Sequence, residues 1–249
     1  MPTSPAVRCA LVVAVFAGLL SSARAVGVET LAFEGARMTV VRIDPREEPL
    51  ELFLEDDTGA PLKSFKRLKA FVEAKGRSLV FAMNAGMYEP DYSPVGLHVE
   101  DGHELSPLNR RSDWGNFYLK PNGVFFVGES GARIVETSRF PKIRGDITIA
   151  TQSGPLLVLD GRIHPAFKPG SDSRLIRNGV GVLDRHHVIF ALAEDPVNFH
   201  TFARFFRDGL GCRNALFLDG TVSSLYLEKL GRCDRKVGLG PLVGVTRTR

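Results

Sequence analysis

The chain lacks the sequence signs of the commonest enzyme classes. There is no G-x-S-x-G elbow, no H-E-x-x-H, no P-loop and no G-x-G-x-x-G after a strand. Nothing therefore points to an esterase-type serine nucleophile, a zinc protease, an NTPase or a dinucleotide enzyme. No low-complexity tract or block of like charge occurs, and 44% hydrophobic with 24% charged residues is the composition of a folded chain. Without a Lys/Arg run the basic balance gives no reason to expect a nucleic-acid partner, and no internal repeat or linker divides the chain. None of the six histidines forms a ligand pair at helical spacing. His98 and His164 sit beside Gly-containing turns as secondary candidates, His186-His187 fall at a predicted hairpin turn, and His200 lies on a predicted amphipathic helix. No metal site or cofactor is legible, and the scattered acids leave a divalent cation open.

Cysteine is equally scarce, and one of the three, Cys9, falls in a leader. Arg8 supplies a short basic region, Cys9 to Leu20 are almost wholly apolar, and Ala23-Arg24-Ala25 reads as a small-x-small cleavage site. The apolar run is too short for a permanent bilayer anchor and no stop-transfer segment follows it. Residues 1–25 are expected to be a secretory signal peptide and 26–249 the mature chain, periplasmic or secreted and without a permanent membrane anchor. Cleavage removes Arg8 and Arg24 and lowers the formal charge from +4 to +2. It leaves Cys212 and Cys233, in an oxidising compartment most simply a disulfide that stabilises by roughly 3 kcal/mol. Two buried free thiols are the alternative.

What is present is a series of short apolar runs separated by turn residues. Residues 30–44 alternate around Gly35 as a hairpin, and 50–55 and 78–83 read as strands, the latter buried on both faces. Leu62, Phe65, Leu68 and Phe71-Val72 recur at helical spacing before Gly76, and Phe199, Phe202-Ala203 and Phe205-Phe206 do so before Gly209 or Gly211. Asn122-Gly123 and Asp160-Gly161 are tight-turn signals, and a further hairpin turns near Asp184–His187. Strands outnumber helices, so one α+β domain is expected, with a mainly antiparallel or mixed sheet and a few helices packed on it.

Several of these strands end in polar residues and glycine: Asn84-Ala-Gly86, Gln152-Ser153-Gly154-Pro155, Arg177-Asn178-Gly179, and Asn214 to Tyr226 with Asp219-Gly220, Ser223 and Ser224. Loops carried by a rigid sheet are common positions for functional residues. With Gly96, Asp101-Gly102 and Asp160-Gly161, these motifs follow the order seen in the phosphodiester glycosidase family, which the chain resembles over roughly residues 30–245. Two motifs depart from the family pattern. Asp-Gly-Gly-Gly-Ser becomes Asp219-Gly220-Thr221-Val222-Ser223, and Arg-Thr-Ala-x-Gly becomes Arg177-Asn178-Gly179-Val180-Gly181.

The resemblance implies a secreted or periplasmic hydrolase that cleaves the glycosidic bond of a sugar-1-phosphodiester or a related envelope glycan. Its partner would be a carbohydrate or sugar phosphate. In that chemistry Arg177 suits the phosphate, because a planar guanidinium grips two oxygens at once. Asp219 is the base, nucleophile or electrostatic stabiliser of an oxocarbenium-like transition state. Asn84 and Gly86, Ser153 and Gly154, and Gly220, Ser223 and Ser224 would contact substrate. Asp91, Asp172, Glu194 and Asp195 compete as a second carboxylate. The alternatives are a non-catalytic glycan-binding or envelope-assembly protein using the same pocket, and a metal-dependent phosphodiesterase.

Overall fold

A computed structural model of the chain describes residues 26–143, 145–234 and 238–249; the signal peptide expected at 1–25 lies outside them. Seventeen strands form three sheets among the described residues. Sheet A orders β1 (Gly27–Phe33), β2 (Ala36–Ile43), β13 (His187–Ala193), β12 (Asn178–Asp184), β14 (Asn214–Asp219), β10 (Leu156–Leu159) and β11 (Arg162–Ile163). Sheet B orders β16 (Arg232–Cys233), β15 (Leu225–Leu227), β4 (Arg77–Asn84), β17 (Leu242–Thr248) and β3 (Leu50–Phe53). Sheet C orders β6 (His103–Ser106), β5 (His98–Glu100), β9 (Ile147–Ser153), β7 (Gly123–Gly128) and β8 (Gly131–Glu136). All of their pairings are antiparallel, so the α+β expectation holds in its antiparallel form.

Period-two alternation divides each sheet between two cores. Val180, Phe190, Leu216 and Leu218 of sheet A meet Phe81, Met83 and Val243 of sheet B and Phe125 and Ile149 of sheet C in one central cluster. The opposite face of sheet A buries Met38, Ala215 and Phe217 under α2 (Phe199–Arg204) and the π-helical turn Phe205–Gly209. The opposite face of sheet B buries Leu79, Ala82 and Tyr226 under Phe65, Leu68 and Val72 of α1 (Phe65–Ala74). Ser64 caps α1 by accepting from the Arg67 N–H at 3.3 Å, and Gly76, at φ +72°, lets the chain leave it.

The hairpin turns at Glu34-Gly35 and Asp160-Gly161 have two successive left-handed residues, the twist that two-residue hairpins favour. Asn122-Gly123 is not such a turn. Asn122 is buried and donates Nδ2 to the Phe117 carbonyl at 2.8 Å, while Gly123 opens β7 in a space where a Cβ would lie 2.7 Å from Leu156. The hairpin closes instead between Gly128 and Gly131.

The expected Cys212–Cys233 disulfide is not formed. Both thiols are free, Cys212 buried and Cys233 exposed. Cys212 packs against Gly181 and Phe206 on the helix side of sheet A. Cys233 lies on an edge strand of sheet B opposite Tyr226. The two cysteines are close in sequence, but the ladder takes β14 and β16 into different sheets.

Candidate active site

Sheets A and B deliver strand ends to a common rim. Asn178, first in β12, is paired to Leu192 near the end of β13 and to Asp219 at the end of β14. Asn84, last in β4, comes to the same place from sheet B. Asn84 Oδ1 accepts from Asn178 Nδ2 at 3.0 Å and from the Ser224 N–H at 2.9 Å. Asn178 Nδ2 also lies 3.0 Å from the Asn84 carbonyl, and Asn178 Oδ1 accepts from the Asp219 N–H at 3.0 Å. Ser223 Oγ is 3.0 Å from the Asp219 carbonyl and 3.4 Å from Asn178 Oδ1, so its one proton favours the shorter contact. Ser153 Oγ donates to the Leu218 carbonyl at 2.8 Å, one residue before the acid.

These contacts make a buried polar knot whose amides and hydroxyls satisfy one another, the condition under which buried polar groups fix a geometry rather than destabilise it. Of the nine site residues singled out from sequence, Asp219 alone is partly exposed; the others are buried. Its Oδ1 accepts from the Gly220 N–H at 2.5 Å, so the carboxylate is held at the mouth of the turn that follows. Asp219 is thus the one partly exposed acid of the knot.

Several predicted contact residues turn out to serve packing. A Cβ at Gly86 would lie 2.6 Å from Thr151 Oγ1 and 2.7 Å from the Gln152 carbonyl, and one at Gly154 would lie 2.6 Å from the Phe117 carbonyl. Both glycines admit protein backbone. Ser224 Oγ donates to the Val222 carbonyl at 2.8 Å and holds the turn.

Arg177 does not join Asp219 in the knot. It is fully buried among the aromatics packed on the helix side of sheet A, its guanidinium 3.6 Å from the Phe199 ring centroid and 5.7 Å from that of Phe217. Nε donates to the Val197 carbonyl at 2.9 Å and Nη2 to the Ser173 carbonyl at 3.0 Å; Nη1 has no hydrogen-bond partner among the described residues. Burial pulls its pKa down to about 10. The geometry braces the chain on both sides of the knot through backbone carbonyls.

Among the acids competing for a second role, Asp91 bonds Ser93 in its own turn, Asp195 pairs with Arg37 at 2.9 Å, and Asp172 is exposed. Glu194 follows β13 directly onto the rim. Its Oε1 accepts from Thr39 Oγ1 at 2.5 Å and from Arg232, whose Nη2 lies 3.0 Å from Asp234.

The loop leaving β4 adds an aromatic flank. Tyr88 and Tyr92 stack with centroids 5.8 Å apart and planes 9° apart, and Lys63 Nζ lies 4.2 Å from the Tyr92 centroid. Tyr92 and Lys63 both have left-handed backbones, φ +76° and +61°, uncommon for residues with a Cβ. Burial, then the charge of Asp219 and Tyr92, holds the Tyr88 phenol above its usual range, which ties this flank electrostatically to the carboxylate. Of the secondary histidines, His98 is buried against Glu100 at 2.7 Å, and burial pulls His164 down where it stacks on Phe167. Among the described residues no three His, Cys, Asp or Glu side chains gather as a metal site.

Sequence reasoning missed Asn178 as a site residue. Its only signal was its place in the departure from the family's Arg-Thr-Ala-x-Gly pattern, beside Arg177.

At this rim, antiparallel sheets hold a partly exposed carboxylate on a buried polar knot. The chain belongs to the phosphodiester glycosidase family, whose model matches residues 77–239, from β4 through Asn84 and Asp219 to the turn before β17. It is 34% identical over 206 residues to the uncharacterized protein YigE of Escherichia coli (strain K12), covering 82% of this chain and 80% of that one. In fold it is similar to the catalytic domain of zebrafish N-acetylglucosamine-1-phosphodiester alpha-N-acetylglucosaminidase, auto-inhibited by its pro-peptide. That match has a TM-score of 0.60 at 15% identity, covering 89% of this chain and 82% of that one. A hypothetical protein from Synechocystis shares the fold with a TM-score of 0.53 at 16% identity, covering 89% of this chain and 61% of that one.

Proposed function

We propose that the protein hydrolyses the glycosidic bond of a sugar-1-phosphodiester or a related envelope glycan, in the periplasm or outside the cell. The apolar leader read at residues 1–25 supports that location. The observation that carries the activity is the half-exposed carboxylate of Asp219, fixed at the rim by the buried Asn84–Asn178 knot in a chain of this family. A phosphate is a good leaving group, so the reaction asks less of a general acid than of a group that stabilises positive charge at the anomeric carbon. Asp219 supplies that group as nucleophile, base or electrostatic stabiliser, with Glu194 as the second carboxylate. Tyr88 and Tyr92 offer the sugar an apolar face, and Lys63, which has no carboxylate partner among the described residues, meets the phosphate. Asn84, Asn178 and Arg177 act as positioning residues from beneath.

The test is sugar release from a panel of sugar-1-phosphodiesters by wild type and Asp219→Asn. The expected result is turnover by wild type on at least one diester and its loss, by at least a hundredfold, in the variant. Wild-type inertness on the whole panel, or full activity in Asp219→Asn, overturns the proposal. Two observations favour a non-catalytic glycan receptor instead. The carboxylate of Asp219 caps its own turn through the Gly220 N–H, and the arginine assigned to phosphate is buried. Calorimetric binding of glycans by a wild type that turns none of them over decides for that reading.

A further inference from the structure

At the end of sheet A remote from Asp219, a cleft of about 590 Å³ opens between β8, the β10–β11 turn, the β12–β13 turn and the start of β14. Strand β14 links the two places: Asn214 lines the cleft, and Asp219 lies about 17 Å further along at the rise of an extended strand. Arg133, Arg139, Lys142, Arg185 and Arg213 line it, against two acids, Asp160 and Asp184. Both acids are already engaged, Asp160 with Arg139 at 3.4 Å and Asp184 with His187 at 2.7 Å. Arg133, Lys142, Arg185 and Arg213 are exposed and have no carboxylate partner among the described residues. Between them lies an aliphatic floor of Ile134, Leu159 and Val182.

Four cations without a carboxylate partner among the described residues line one concavity and hold a strong positive potential in a chain whose residues 26–249 carry only +2 overall. The shape and lining narrow the ligand. No aromatic side chain lines the cleft, so it has no platform for nucleobases. A concave basin with its apolar groups on the floor does not match a planar bilayer. Guanidinium forks above an aliphatic floor match repeated oxyanions carried on a saccharide or polyol backbone.

We infer that this cleft is a binding site for an acidic, base-free polymer, a glycan or polyol chain whose repeat unit carries phosphate or carboxylate. The inference does not depend on the chemistry assigned to Asp219.

The test measures binding of the purified chain to labelled poly(glycerol phosphate) and polygalacturonate across a salt series. A single-stranded oligonucleotide and phosphatidylglycerol vesicles serve as the other arms. Wild type is expected to bind at least one of the two polymers more tightly than either other arm. Arg185→Ser/Arg213→Ser is expected to weaken that binding roughly tenfold at low salt and to flatten the log–log salt dependence by about two. Lys66→Ser/Lys69→Ser removes the same charge from α1 and is expected to leave binding unchanged. Should the arginine pair fail to fold, Lys142→Ser replaces it, with a slope change of about one. The inference is overturned if both double variants weaken binding equally, if the arginine variant binds like wild type, or if the oligonucleotide or vesicles bind more tightly than both polymers.

Discussion

Replacing Asn178 by alanine tests whether the knot is the structural basis of the site. The side chain is fully buried and bridges Asn84, Asp219 and Ser223 across two sheets. Without it the Asp219 N–H loses its acceptor at 3.0 Å, the Asn84 carbonyl loses its donor at 3.0 Å, and Asn84 Nδ2 loses its 3.4 Å contact. Asn84 Oδ1 keeps the Ser224 N–H, and Ser223 keeps the Asp219 carbonyl. Each buried group left unsatisfied costs about 1–3 kcal/mol, so with two principal losses the variant is expected to be about 2–5 kcal/mol less stable. Asn178→Thr, which retains one oxygen to accept a hydrogen bond, should lose roughly half as much. The assay is urea unfolding followed by far-UV circular dichroism, because the single tryptophan, Trp114, is 95% exposed and reports poorly on folding. The double variant Asn84→Ala/Asn178→Ala should cost less than the sum of the single changes, since the donor and acceptor of the Asn178 Nδ2–Asn84 Oδ1 bond disappear together. A loss under about 1 kcal/mol for Asn178→Ala, or strict additivity in the cycle, refutes the knot as a coupled unit.

Three further outcomes follow from burial and close packing. Burial pushes the Cys212 thiol up to about 12 from an ordinary value near 9, so its contribution to stability is complete below pH 9 and is lost as pH rises toward 12. Between pH 9 and 10.5 wild type should lose about 1.4 kcal/mol per pH unit relative to Cys212→Ala. A thiol reagent on the native protein should label the exposed Cys233 and spare Cys212; a Cys212–Cys233 disulfide found by peptide mapping contradicts the structure. Gly86→Ala forces a methyl into contact with Thr151 and Gln152 and should destabilise by about 1–3 kcal/mol while the folded fraction keeps its KM. Unchanged stability with a raised KM would mean that a ligand, not the backbone, fills that space.

The sheets were legible because each hairpin carries its own local chemistry. The alternation around Gly35, the Asp160-Gly161 turn and the reversal at Asp184–His187 fall where the sequence predicts them. What local pattern does not encode is which strands share a sheet. Asn84 and Asn178 are far apart in sequence and belong to sheets B and A, so their bonding waits on tertiary assembly. Asp219, by contrast, reaches the rim at the end of its own strand, β14, where it is partly exposed. Arg177 fails for a subtler reason. Adjacent residues of an extended chain face opposite ways, so the arginine enters the aromatic side of the sheet while the asparagine beside it enters the knot. The cysteine pair misleads by proximity in sequence, and Asn122-Gly123 misleads because close packing on Leu156 requires the same glycine that a turn would.

The departure from three successive glycines after Asp219 bears on how the carboxylate is held. A glycine-rich turn gains its shape from backbone freedom, but here none of residues 220–224 has a left-handed φ, so Thr221 and Val222 are compatible with the path the chain takes. Val222 packs against the cluster between α1 and sheet B, and its bulk is thereby absorbed by the protein's own core. Its carbonyl accepts from Ser224 Oγ at 2.8 Å, and the Ser223 N–H returns to the Gly220 carbonyl at 3.1 Å. The turn is therefore held from α1 on one side and from the asparagine knot on the other. Replacing glycines with a packed valine exchanges freedom for fixation: it limits how far the loop can yield to a ligand, and it reduces the reorganisation needed to keep Asp219 in place. Under the proposed hydrolysis, a substrate would bring its anomeric centre to a carboxylate already in position, beside the stacked Tyr88 and Tyr92.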